Sequence, residues 1–132
     1  MNFELSQSNP FELDVLSISG PVLPGDLIEM LKQLWQQDYY VQLTHVVWDF
    51  THSETHYYFE DIFQLFAFVK QSKNLRGPHT LAVVAPHDNE FGSSRMFAAL
   101  NESELPKVNI FRELESALDW LNCQKQATLS IN

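Results

Sequence analysis

The sequence predicts an α/β fold on a mixed, mostly parallel sheet, and three observations carry this. His45-Val46-Val47-Trp48-Asp49-Phe50 and Leu81-Ala82-Val83-Val84-Ala85 are short apolar runs, the pattern of strands buried on both faces. The stretches between and after them space their apolar residues as helices do. Strands alternating with helices imply parallel neighbours joined by right-handed crossovers. The stretch around Trp48 is the expected central strand, polar again from Thr51.

Taken in order, Phe3 and Leu5 alternate with Asn2, Glu4 and Ser6, which predicts a short strand. Ser8-Asn9-Pro10 is turn chemistry, and Phe11 to Ser19 reads as a second strand antiparallel to the first. Its alternation is imperfect: Phe11, Leu13 and Val15 share one face, Leu16 and Ile18 the other. Either both faces are covered or a bulge shifts the phase. Gly20-Pro21 and Pro24-Gly25 punctuate the next loop. Asp26 and Glu29 have capping-box spacing, and Leu27, Ile28, Leu31, Leu34 and Trp35 give one apolar helical face ending near Gln37. Asp38-Tyr39-Tyr40 connects to the central strand.

A second helix is expected from about Phe59 to Lys70, followed by a polar loop from Ser72 to His79. Pro86 stops the strand at Leu81 to Ala85, and Phe91 to Asn101 reads as a third helix. Val108 to Phe111 is a short strand, and Arg112 to Cys123 a last helix. The expected architecture is a sheet of about five strands with an antiparallel N-terminal hairpin and about four helices, in the order β-β-α-β-α-β-α-β-α. Residues 1–123 form a single domain, and 124–132 read as a flexible C-terminal tail.

Composition narrows the function classes. Seventeen acidic residues against eight basic ones give a net charge of −9. That argues against nucleic acid and anionic membrane surfaces as partners, and its thin spread is met by solubility alone. Cys123 is the sole cysteine, so no intrachain disulfide is available, and its place beside Trp120 and Leu121 suits packing better than nucleophilic chemistry. Met1-Asn2-Phe3-Glu4-Leu5 lacks the basic start and apolar run of a secretion signal. No apolar run approaches the length of a membrane span, so a cytoplasmic location is expected.

Three local patterns, in this order and spacing, carry a family resemblance: Val46-Val47-Trp48-Asp49; Phe91-Gly92-Ser93-Ser94-Arg95-Met96-Phe97; and Ile110-Phe111-Arg112 running into Ala117-Leu118-Asp119-Trp120-Leu121. From about Gly20 to Leu121 the chain resembles the SpoIIAA-like branch of the STAS superfamily, and with it the C-terminal part of Sec14-type lipid-transfer domains. The resemblance implies a small non-catalytic α/β domain. Antagonist members carry a phosphorylatable Ser in an Asp-Ser-Ser-Gly-type turn before the second helix. Here that region reads His56-Tyr57-Tyr58-Phe59, with neither Ser nor Gly, and Ser53 and Thr55 upstream lack the motif's neighbours. The phosphoswitch is therefore expected to be absent.

Several constellations invite chemistry. His52-Ser53-Glu54-Thr55-His56 follows the central strand, at the end of a parallel sheet where ligands usually bind. His87 and Asp88 follow the next strand, so Asp49, His52, His56 and His87 are the candidate metal set. The plainer account is solvated loop residues, because spacing alone does not supply metal geometry. No cofactor is expected. A Ser53, His87, Asp88 hydrolytic set has no nucleophile elbow or oxyanion loop to support it, so no enzyme activity is expected. Gly92, Ser93 and Arg95 open the third helix and are the candidate anion or ligand site; the plainer account is close packing at Gly92, capping by Ser93 and an ion pair for Arg95. Lys70, Lys73 and Arg76 suit the C-terminal end of the second helix.

Helical spacing of the second helix turns Tyr58, Phe59, Ile62, Phe63, Phe66 and Val69 to the sheet. It leaves Tyr57, Leu65 and Phe68 at or beyond the margin, as the expected contact face. The leading expectation is an interaction or regulatory module working through a protein partner or as a homodimer. The alternative is a Sec14-like binder of a small apolar ligand or lipid; a metal-dependent or hydrolytic enzyme comes third.

Overall fold

The computed structural model describes residues 1–71, 79–100 and 107–130. Five strands, β1 (Asn2–Ser6), β2 (Asp14–Val22), β3 (His45–Thr55), β4 (Thr80–Val84) and β5 (Lys107–Phe111), form one sheet in sequence order. β1 pairs antiparallel with β2, and every later neighbour is parallel. Among the described residues five helices accompany them: α1 (Asp26–Leu34), the single turn α2 (Asp38–Val41), α3 (Phe59–Gln71), α4 (Asp88–Leu100) and α5 (Leu114–Ser130). The expected polar loop from Ser72, with Lys73 and Arg76, lies outside the described residues apart from His79.

Parallel strands taken in order, each joined by a crossover of one hand, send their connecting helices to one face. The core divides accordingly. Leu27 and Leu31 of α1, Tyr40 of α2, Ile62, Leu65 and Val69 of α3, and Phe97 of α4 pack on Leu16, Ile18, Trp48, Phe50 and Val83. The last helix is free of that constraint and covers the other face, with Ala117, Leu118 and Leu121 on Leu13, Val15, Val47, Ala82 and Val84. This split explains the broken alternation of β2, since both of its faces are covered. Trp48 lies in the larger layer, where its indole N–H donates to the Tyr40 hydroxyl at 3.1 Å.

The boundaries differ from expectation for local reasons. β2 starts at Asp14 rather than Phe11, because the Asn9 side chain folds the preceding residues into a turn. Asn9 Oδ1 accepts from Leu13 N at 3.0 Å and Phe11 N at 3.2 Å, and Nδ2 donates to Leu13 O at 2.8 Å. The strand also runs on through Gly20-Pro21, with Gly20 at φ +80. Pro21 lies past the last residue paired to β1, so its missing donor costs nothing on that side. Gly25, not Asp26, is the N-cap of α1. The Asp26 carboxylate instead braces the loop, accepting from Leu23 N at 2.8 Å.

α3 is rotated from its expected phase. Ile62, Leu65 and Val69 are buried, whereas Tyr58 is 77% and Phe63 53% exposed. Besides covering the sheet, α3 lies against α1 and α4, so apolar residues are wanted around more than half its girth and spacing alone gives no unique phase. α5 passes Cys123 and continues to Ser130 in place of the expected tail, held where Lys107 Nζ donates to Gln124 Oε1 at 2.8 Å. No helix among the described residues is long and apolar enough to cross a membrane.

Candidate functional site

The site is built by an irregularity in the central strand. Ser17 of β2 pairs with Asp49 of β3, but Ser19 pairs with His52, so Ile18 alone stands opposite Phe50 and Thr51. This is a β-bulge, uncommon between parallel strands, and it reverses which residues face the helices. Asp49 holds it: the buried carboxylate accepts from the Thr51 backbone N–H at 3.0 Å and also from the Thr51 hydroxyl. Before the bulge Trp48 and Phe50 face the helical layer; after it Ser53 and Thr55 do, because they pair with Gly20 and Val22 on the Ile18 side. A period of two carried through from Trp48 would have put His52 and Glu54 there instead.

Ser53 is consequently buried under the start of α4. Its Oγ lies 2.9 Å from Phe50 O and 3.1 Å from Oε1 of Glu90, itself only 2% exposed. Ser53, Glu54, Thr55, His87, Asn89 and Glu90 line an open cleft of about 190 Å³. Burial pushes the Tyr57 phenol, next along the chain, up to about 12; the Thr55 hydroxyl opposes part of the rise and the charge of Glu90 adds to it. Thr55 Oγ1 nevertheless falls short of hydrogen-bond geometry with any described group.

That raised value has a consequence with a definite sign. The folded state holds the Tyr57 proton above pH 10, where the unfolded chain gives it up, so stability is full below pH 10 and lost as pH rises toward 12. Alkaline melts of the wild type and Tyr57→Phe check this: the Phe variant is expected to lose the part of the alkaline slope due to this phenol. Equal slopes would contradict it.

The expected candidates separate here. His52 is exposed on the far side of the sheet, in the strand rather than a loop. His56 is exposed and lies 3.6 Å from Glu54. Asp49 is taken up by the bulge, and only His87 reaches the cleft. No group of three or more His, Cys, Asp or Glu side chains converges to hold a metal among the described residues. Gly92, Ser93 and Arg95 do not open a helix: α4 starts at Asp88, so they lie in its second turn, behind an acidic first turn. A Cβ at Gly92 would meet nothing within 4 Å, so close packing does not explain that glycine. Ser93 is buried, and Arg95 lies over the Phe91 ring at 5.8 Å.

The contact face is also corrected. Tyr57 and Leu65 are 7% and 6% exposed and belong to the core, and Phe68 stacks on Trp35 with ring centroids 5.3 Å apart and planes 5° apart. The crevice between the ends of β4 and β5, where helices depart to opposite faces, is filled. Arg112 donates to Asp88 Oδ1 at 2.7 Å and to Pro86 O at 3.1 Å, and lies 3.9 Å from the Phe91 ring centroid. Sequence reasoning missed Glu90, whose signal was a carboxylate three residues after His87, at the N3 position of a helix starting earlier than its apolar spacing shows.

No family model and no curated protein matches the chain. Among solved structures it is similar to an uncharacterised protein of the DUF3478 family from Shewanella loihica PV-4, which has a SpoIIAA-like fold. The TM-score is 0.56 at 13% identity, over 91% of this chain and 92% of that one. At that identity the likeness concerns the fold alone. With its antiparallel β1, its parallel β2 to β5 and one described helix returning over the second face, this chain has a SpoIIAA-like fold.

Proposed function

We propose that this chain is a non-catalytic, cytoplasmic STAS-like interaction module that acts through protein contacts, without a phosphoserine switch. The observation that carries the reading is the apolar corner where β2 and β3 hand over to α1 and α3. Leu23 and Tyr58 are 52% and 77% exposed there, while Phe63, 53% exposed, lies on a different side of α3 from the residues that meet Leu23. Leu23 borders a shallow groove with Ile28 and Ile62, and Tyr58 stands at the entry to α3. Large apolar side chains gathered at one corner mark contact surfaces, whereas single ones scattered over a surface need no explanation.

Asp26, Glu60 and Asp61 flank this corner, so a partner with a basic rim fits it. A second copy carrying the same −9 charge is repelled, which makes the homodimer the weaker form of the reading. The apolar-ligand alternative would use the seam lined by Trp48, Phe50, Ile62, Leu65 and Phe97. That seam holds about 30 Å³ of free space, roughly a tenth of the ~300 Å³ at which ligand pockets begin. A lipid would have to force α3 and α4 away from the sheet.

A photo-crosslinking amino acid placed at Tyr58 in the native cell tests the contact. The expected result is a discrete adduct with another protein, lost in Leu23→Glu and absent when the crosslinker replaces Ser19 on the far face. Equal labelling from both positions, or an adduct indifferent to Leu23→Glu, would count against it. For the missing switch, exposure to an anti-sigma kinase is expected to leave the mass unchanged. Ser53 is buried, and a phosphate there would meet the Glu90 carboxylate. Stoichiometric phosphate on Ser53 or Thr55 would overturn that expectation.

A further inference from the structure

The cleft beside α4 carries an unmet demand for hydrogen-bond donors. Glu90 is 2% exposed, and no Lys or Arg is among the residues described around the cleft. Its one hydrogen-bond contact among the described residues is compromised. Ser53 Oγ lies 2.9 Å from Phe50 O and 3.1 Å from Glu90 Oε1, but a hydroxyl has one hydrogen to give, and the carbonyl is nearer. Oε2 of Glu90 has no partner among the described residues; Thr55 Oγ1 on the same wall has only the Tyr57 phenol beside it, short of hydrogen-bond geometry. A carboxylate withdrawn from water with at most a share in one neutral hydrogen bond is an expensive arrangement. The first turn of α4 favours negative charge by its field, yet makes no bond to this carboxyl.

We propose that this cleft binds a small organic cation through a primary ammonium group, with Glu90 Oε2 as the charge partner and Thr55 Oγ1 as a neighbouring acceptor. An ammonium brings three donors and no acceptor, which matches an unpartnered carboxylate oxygen beside a hydroxyl that can also accept. An inorganic anion would meet Glu54 and Glu90 with like charge. A divalent ion would need a convergent ligand set, and among the described residues there is none. The cleft, at about 190 Å³, exceeds the ~30 Å³ share of one water, so it admits the ammonium with a short carbon chain. His87 and Asn89 form its exposed rim. The site uses none of Leu23, Tyr58 or Phe63, and it stands or falls independently of the protein-contact reading.

Titration of the full, isotope-labelled chain with n-butylammonium chloride, followed by amide NMR at constant ionic strength, tests this. Sodium butyrate and calcium chloride serve as matched probes. The expected result is a saturable shift of the amides of Thr55 and His87 to Glu90 with butylammonium and none with butyrate. Glu90→Gln, which keeps the shape and removes the charge, is expected to weaken binding about tenfold or more. Thr55→Val, which exchanges a hydroxyl for a methyl, is expected to weaken it by a smaller factor and carries the test if the Gln variant does not fold. Shifts that never saturate, equal shifts with butyrate, tighter binding of calcium at the same amides, or unchanged affinity in a folded variant would each overturn the proposal.

Discussion

Leu65→Glu is expected to leave no cooperatively folded protein, whereas Phe63→Glu, two residues earlier on the same helix, should melt almost as the wild type does. Leu65 is 6% exposed, between the sheet and the neighbouring helices. Removing its side chain from the core forfeits roughly 1.5–3 kcal/mol of burial. Placing a carboxylate there adds an unpaired charge at a cost of several kcal/mol more. The sum approaches the ~5–15 kcal/mol that holds a domain together. Phe63 faces solvent over half its surface, where substitutions usually stay within about 0.5 kcal/mol. Near-ultraviolet circular dichroism of the three tryptophans, with thermal melts, separates the two variants. A folded Leu65→Glu beside a collapsed Phe63→Glu would mean that α3 docks through its opposite face.

Leu121→Ala is the second large effect. α5 is the one described helix on its side of the sheet, and Leu121, fully buried, is central to that contact with Ala117 and Leu118. Truncating a buried leucine to alanine costs about 2–5 kcal/mol, depending on how far the cavity collapses. At this chain length the melting temperature should fall by roughly 7–20 °C. A chain cut after Cys123 should lose far less, although it sheds a longer piece of helix. From Gln124 onward no described side chain is fully buried, and Leu129 is 59% exposed. Melts of the two proteins decide the matter: a truncation as costly as Leu121→Ala would show that the extension belongs to the domain.

Strong, unambiguous local patterns were legible from the residues. The short, β-branched apolar runs from Val46 to Phe50 and Leu81 to Ala85 read as buried strands, and both are strands in the sheet. Helical spacing between them then forces parallel pairing and one-sided crossovers. The legible part ends where a pattern can be satisfied in two ways. α3 carries apolar residues around most of its circumference, so its spacing fits several rotations, and only docking against α1 and α4 chose the one that buries Leu65 and exposes Phe63. The N-terminus of α4 was masked because its first turn, Asp88-Asn89-Glu90, is polar and reads as loop until the chain is seen to close over Ser53.

The candidate site was less legible than the fold, and one residue accounts for much of that. Five residues from His52 to His56 are polar, and their composition marks the end of β3 as a place of interest. Which of them turn inward is settled by the bulge at Phe50 and Thr51, and the bulge depends on the Asp49 carboxylate capturing both Thr51 donors. A strand has a period of two, so a single extra residue exchanges every side chain beyond it between the two faces. The sequence by itself determined the strands, the helices, their parallel order and the polar character of the β3 end, because these follow from local spacing. Tertiary structure alone decided that Ser53, Thr55 and Glu90 meet while His52 and His56 stand apart, because that meeting depends on strand register and on a helix arriving from 37 residues away.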